Sequence, residues 1–385
     1  MANKDTILNN LEEIKDDLIN LNDRIGKNPE LGFKEFKAVK WLTDYLASHN
    51  FKIKKPIGGL ETAFKAEYDF NEPGPVIAYL CEYDALPNIG HGCGHNMIGV
   101  MSVGAAVALS KYNDLKGTIQ VIGCPGEEVG GGKVTLVEKG IFDEVDAAMM
   151  VHPSNENRTY STSLAIEAIK FTFHGQTAHA AAAPEKGINA LDGVIQLFNG
   201  INAIREHLKD DVRIHGIISK GGESPNVVPD LAEAKFYFRA RQKDYLKEVI
   251  EKGKNIARGA AQMTGCEVEF SNFENSNDNL NPSGKLAATY EKNLKLAGVN
   301  NIADPEESLG STDMGNVSQV VPSIHPYIKI GDELIGHTVE FRDATMSKKG
   351  QQALIKAAQA LALTGYDILN DNELLEEIVE EFQSL

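Results

Sequence analysis

Cys93 and two histidines share the run His91-Gly92-Cys93-Gly94-His95-Asn96, and thiolate and imidazole crowded together are the donor set of a transition-metal site. A lone cysteine is ordinarily a small buried hydrophobe. Glycines on both sides and histidines two residues away in each direction turn Cys93 into a candidate ligand, with His95 its stronger partner and His91 the weaker. Further donors are Glu127-Glu128, His152 before Pro153, and His337. Two divalent ions ~3.5 to 4 Å apart need one bridging ligand and capping ligands on each side. Cys93, His95, Glu128, His152 and His337 supply such a set, which suits zinc and, through the carboxylate, also admits manganese or cobalt. Adjacent residues of an extended turn point opposite ways, so one carboxylate of the Glu127-Glu128 pair can bind metal while the other faces substrate and works on water.

Two other chemistries fit less well. Gly130 to Lys133 superficially suggests a phosphate loop, but Glu127 stands where its first glycine belongs and Val134 where its Ser/Thr belongs. A Cys93–His95 nucleophile pair would sit two residues apart on a glycine turn, a poor arrangement for proton transfer, and it leaves the other donors unexplained.

These residues need elements that bring them together. Apolar runs 75–81, 117–123 and 147–151 each end in donors: Glu82 and Asp84 after the first, Glu127 and Glu128 after the second, His152 after the third. Helical stretches over about 97–109 and 133–139 separate them. Short continuous apolar strands alternating with helices predict a mostly parallel sheet flanked by helices. In such sheets the site lies beyond the carboxyl ends of the strands, where Asp84, Cys93, Glu127, Glu128 and His152 converge.

Upstream, apolar positions from Ile7 to Ile25 predict one helix over about 6–27, and a second helix is expected over 34–48. Between about 166 and 270 the order changes to strand, helix, strand, strand, helix, strand, that of a ferredoxin-like α+β sandwich. The polar stretch 271–279 reads as the linker back. Beyond it come a helix near 285–296, the Gly310 to Gly315 turn, one strand around 323–330, and an acidic amphipathic helix over 372–385. The expected organisation is a catalytic domain, 1–165 and 280–385, interrupted by an inserted domain, 166–279.

A chain of 385 residues is long enough for two cores. A formal charge of −17 argues against a nucleic-acid or anionic-membrane partner, either of which wants a basic face. No apolar run approaches the ~18 residues of a membrane span, and the N-terminus lacks the apolar core of a signal peptide. Four scattered cysteines are too few for a disulfide framework. The expected setting is cytoplasmic.

Asp84 to Pro87, Gly92 to His95, Pro125 to Glu128, His152-Pro153, Gly175 to Ala180, Asn226 to Pro229 and His337 to Phe341 together resemble family twenty of the metallopeptidases, in its amidohydrolase branch. That branch includes aminoacylases, auxin-conjugate hydrolases and aminobenzoyl-glutamate hydrolases. The resemblance spans about residues 25 to 345 in order. It implies a catalytic domain with an inserted lid, two divalent metals per subunit and a homodimer formed through the lid. Carried over residue by residue, Cys93, His95, Glu128, His152 and His337 are metal ligands with Asp84 behind them. Glu127 is then the general base, His179 the oxyanion donor, and Asn226 and Arg239 the residues that hold a substrate carboxylate. Two positions depart from the pattern: Asn96 replaces a common aspartate, and Glu82 stands where many peptidases of the family carry a metal-binding histidine. The implied activity is cleavage of the amide of an N-acyl amino acid or dipeptide-like substrate. The alternatives are a dipeptidase or carboxypeptidase of the same family and a metal-binding relative without catalysis.

Overall fold

The computed structural model describes residues 2–384. The backbone packs into two compact units, one comprising the chain up to Thr162 with Leu280–Ser308 and everything from Thr312 on, the other Ser163–Asn279 with Leu309–Ser311.

In the first unit, the strand order across the six-stranded sheet is Lys52–Lys54, Phe64–Asp69, Thr118–Gly123, Val76–Cys81, Ala147–Met149, Ser323–Ile324. Val76–Cys81 runs parallel to both neighbours, and Ala147–Met149 parallel to Ser323–Ile324, while the Phe64–Asp69 side is antiparallel. Residues Ile77 to Cys81 have no solvent exposure, as strands covered on both faces require. The cover includes His95–Ser110, a helix buried all round, which its run of Val, Ala, Met and Gly makes possible. Gly99 permits its closest approach: a Cβ there would stand 2.8 Å from the Glu82 carbonyl oxygen. Helix Lys348–Asn370, capped by the Ser347 hydroxyl accepting from the Gly350 N–H, adds a second buried face.

Two expectations about this unit need correction. The single N-terminal helix is two, Ala2–Glu13 and Lys15–Gly26. The Ile14 N–H bonds Leu11 O, a tightened turn, and the break keeps Leu11, Ile14, Leu18, Leu21 and Ile25 all on the core. The expected strand over 323–330 is likewise two pieces, because Pro326 has no N–H to give a ladder. Ser323–Ile324 closes the main sheet, and Tyr327–Lys329 pairs in parallel with His152–Ser154, which branches away from Ala147–Met149. The hinge is the His152 N–H donating to Pro326 O.

The second unit is the ferredoxin-like sandwich, with antiparallel strand order Glu267–Asn272, Ala165–His174, Leu231–Ala240, Arg213–Lys220. The last strand in sequence, Glu267–Asn272, extends two residues into the stretch read as linker. Helices Ala190–Ile204 and Lys243–Thr264 cover one face. Leu231–Ala240 alternates strictly, burying Ala232, Ala234, Phe236 and Phe238 and turning Glu233, Lys235, Tyr237 and Arg239 the other way. Phe171 is the hub of that core, with ring centroids of Phe236 and Phe270 at 5.8 and 5.6 Å in edge-on contact. No helix among the described residues is long and apolar enough to cross a membrane.

The two cores are separate clusters, and the single tryptophan, Trp41, lies against the first. Phe171→Ala is expected to destabilise the second unit by about 3–5 kcal/mol. Far-UV circular dichroism in urea should show an early transition that Trp41 fluorescence does not follow. A single coincident transition for both signals would mean that the units unfold as one.

Candidate metal centre

The parallel register places strand ends side by side: Cys81 pairs with Gly123, and the Cys124 N–H donates to Cys81 O at 2.8 Å. Beyond them the chain turns through Glu82 to Asp84 on one strand and Gly126 to Glu128 on the next. Gly94, at φ 85, turns the chain into the helix that begins at His95. A Cβ on Gly94 would lie 2.3 Å from Pro153 Cγ, so the backbone carrying Cys93 and His95 packs directly on the segment that carries His152. His337 arrives from the C-terminal part of the chain and is tied by its N–H to Gly92 O at 2.9 Å.

Three overlapping groups of donor atoms result, each with all members within 4.8 Å of one another: Cys93, His95 and His152; Cys93, Glu128 and His337; and His95, Glu127 and Glu128. Cys93 belongs to two of them. Its Sγ is 3.5 Å from His152 Nε2, and His337 Nε2 is 3.4 Å from Glu128 Oε1. The buried Asp84 carboxylate holds the arrangement from behind, with Oδ1 accepting from His95 Nδ1 at 2.7 Å and Oδ2 from the Glu128 N–H at 3.0 Å. His152 Nδ1 donates to Pro153 O at 2.7 Å. With both Nδ1 atoms committed as donors, the Nε2 atoms of His95 and His152 are the ones left to face a cation, which on His95 must first displace the Nε2 proton.

The Glu127-Glu128 pair is not extended. Gly126, at φ 67, starts a helical turn over Glu127–Gly130, and its carbonyl accepts from the Val129, Gly130 and Gly131 N–H groups. Neighbouring residues of a helix diverge by about 100° rather than 180°, which is why both carboxylates stay close to His95.

The electrostatics suit a cation. Burial, reinforced by Asp313 and Glu82, pushes the Glu127 carboxyl well above the ordinary carboxylate range. Burial likewise pushes the Cys93 thiol up to about 12, against the pull of His95. Burial and the nearby His325 bring His152 down to about 3. Burial opposes a charge on His95, but Asp84 and Glu82 outweigh it and raise its pKa well above the ordinary histidine value. Glu128 Oε1 is buried with no hydrogen-bond partner. A thiol, two imidazole Nε2 atoms and a buried carboxylate oxygen converging on one region fit divalent metal.

His91 is buried outside all three groups. Missing from the sequence reading is the ion cluster beneath the site: Lys133, fully buried, contacts Glu82 Oε1 and lies 2.6 Å from Asp313 Oδ1. His325 was missed too; its ring is buried 5.5 Å from that of His152. The usable signal was a lysine inside a glycine-rich turn that matched no phosphate loop.

The remaining expected residues lie in the second unit. His179 is exposed, and its Nδ1 accepts from the Ala181 and Ala182 N–H groups at 3.3 and 3.2 Å, which puts the proton of the neutral ring on Nε2. Asn226 is exposed beside it, its carbonyl accepting from the Ala180 N–H at 3.0 Å. Arg239 Nη1 donates to Leu309 O and Ser311 Oγ, both at 3.3 Å, while Nε is buried without a partner.

Residues 166–262 match the family described as Peptidase dimerisation domain, of M20 proteins. Over 400 aligned positions the chain is 37% identical to the Xaa-Arg dipeptidase of Homo sapiens, covering 97% of this chain and 90% of that one. The chain belongs to peptidase family M20. It is also 30% identical to one of the subunits of the p-aminobenzoyl-glutamate hydrolase of Escherichia coli (strain K12), over 94% of this chain and 91% of that one. The Bacillus subtilis YXEP protein, described as a dinuclear metal binding peptidase of the M20 family, shares the fold with a TM-score of 0.71 at 22% identity, covering 93% of this chain and 99% of that one. This M20 chain is therefore a hydrolase of amide bonds.

Asp84 gives a direct check of the scaffold in metal-free protein. Asp84→Ala leaves the buried His95 Nδ1–H and Glu128 N–H without their acceptor, at a cost of roughly 1–3 kcal/mol for each group. Chemical denaturation should show the loss. A variant as stable as the parent would mean that water takes over both bonds.

Proposed function

We propose that this M20 enzyme hydrolyses the amide joining an acyl or aminoacyl group to a free amino acid. In this reading Cys93, His95 and His152 would hold one divalent ion, and Cys93, Glu128 and His337 a second. The observation that carries it is the membership of Cys93 in both donor groups, with Glu127 beside them and outside both. Thiolate and imidazole favour zinc, and the carboxylate also admits manganese or cobalt. When bound, such ions supply Lewis acidity toward the substrate carbonyl and the attacking water.

The chain's own groups do the rest. Glu127, which a bound cation would bring to its ionised form, takes the water proton on its carboxylate and returns it to the leaving amine nitrogen. His179 donates its Nε2–H to the oxyanion of the tetrahedral intermediate, a tautomer that its backbone-bonded Nδ1 favours. Asn226 and Arg239 hold the substrate carboxylate, for which the unpartnered Nε leaves Arg239 donor capacity. The likeness to an Xaa-Arg dipeptidase favours a dipeptide with a basic C-terminal residue as the particular substrate. A homodimer through the second unit fits the edge strand Arg213–Lys220, where Ile217 is 63% and Ile218 44% exposed. Four free thiols fit a cytoplasmic setting. Turnover of a panel of Xaa-Arg, Xaa-Lys and N-acyl amino acids, followed by mass spectrometry, tests the activity. No cleavage of any member by metal-loaded enzyme would refute it.

Two variants separate metal binding from proton transfer. Cys93→Ser should lose at least one metal per chain, because a hydroxyl stays protonated where a thiolate binds. Glu127→Gln should keep its metal while turnover falls by roughly 10² to 10⁴. Undiminished metal in Cys93→Ser contradicts the shared-ligand role. Metal loss in Glu127→Gln would mean that the roles of the two glutamates are exchanged.

Carboxylate recognition is tested on the substrate. Arg239→Lys should cost about 1.5–3 kcal/mol in kcat/KM, the scale of a hydrogen bond to a charged group. Amidating the substrate should cost the wild type as much and the variant little more. Equal hydrolysis of acid and amide by the wild type would remove Arg239 and Asn226 from recognition.

A further inference from the structure

Lys133 is the one lysine or arginine buried among the described residues, and the two carboxylates on its ammonium, Glu82 and Asp313, are buried with it. Such clusters are a poor source of stability, since apolar side chains of similar volume usually serve as well. This one ties together three segments. Glu82 directly follows the Val76–Cys81 strand, two residues before Asp84. Lys133 follows the Glu127–Gly130 turn, folded back so closely that a Cβ on Gly132 would lie 2.0 Å from Pro125 O. Asp313 grips Lys133 twice, at Nζ and, through Oδ2 at 3.0 Å, at the backbone N–H, and so bolts the end of the glutamate turn to the Met314–Val317 segment.

The other end of the cluster faces the metal centre. Glu82 Oε1 is engaged by Lys133, which leaves Oε2 in an ion pair with His95 Nε2 at 3.4 Å, longer than a good hydrogen bond, on the ring nitrogen that Asp84 does not use. Released from the ammonium, the Glu82 side chain would close that gap and occupy the ligand face of His95.

We propose that Lys133 is a positioning residue of the metal centre: held by Asp313, it restrains Glu82 from His95 Nε2 and fixes the Glu127-Glu128 turn in place. The inference rests on the ligand set of the preceding subsection.

The test measures zinc affinity of the full-length, metal-stripped enzyme by competition with a chromophoric chelator, with thermal unfolding of the same samples. Lys133→Met should weaken zinc binding roughly ten- to hundredfold, the range for partners that orient metal ligands. Adding Glu82→Leu to it should restore much of that affinity, because the group that closes on His95 is gone. A purely structural lysine would instead lower the unfolding temperature and leave the affinity of folded protein unchanged, which would overturn the proposal. Should Lys133→Met not fold, Asp313→Asn loosens the same grip, and wild-type zinc affinity in that variant would overturn it equally. Cys93→Ser, run in parallel, separates the two failures. If it keeps full zinc the ligand set is wrong; if it loses zinc while the Lys133 and Asp313 variants do not, only the positioning role fails.

Discussion

Parallel pairing of Val76–Cys81 between Thr118–Gly123 and Ala147–Met149 is the constraint on which the site depends. Because all three strands point the same way, the turns that leave them emerge at one edge, and Asp84, Glu128 and His152 need only short excursions to meet. The Asp84 carboxylate then locks two of those turns together through His95 Nδ1 and the Glu128 N–H. Sheet register sets the approach, and one buried carboxylate sets the final orientation.

Much of this was legible because it is written in local patterns. Continuous apolar runs ending in donors gave the sheet and its active edge, and the strict alternation of Leu231–Ala240 gave the strand at the heart of the second unit. The glycines around Cys93 showed where backbone comes close, and the φ of 85 at Gly94 is the physical reason. Features that depended on a single residue's conformation were lost. Gly126 in the left-handed region converts an extended turn at Glu127 into a helical one, and Pro326 splits a strand between two sheets. Ile14 interrupts a helix whose apolar spacing looks unbroken, since both halves bury the same face.

What sequence could not show at all was pairing across long separations. Lys133 and Asp313 lie 180 residues apart, and neither matches a local motif, yet they meet beneath the glutamates. His179 poses the reverse case. Its chemistry follows from neighbours only two and three residues away, whose N–H groups choose the tautomer whatever the ring later meets.

The ligand role proposed for Cys93 carries a consequence for how metal would be taken up. Its thiol keeps its proton up to about 12 in the metal-free site, while metal is bound by thiolate. On that proposal, loading would be an exchange that displaces the thiol proton into the solvent, and occupancy would fall as the surroundings acidify. The proposed centre would then double as a proton-linked gauge of metal supply, fuller where the medium is neutral and the ions abundant than where it is acid.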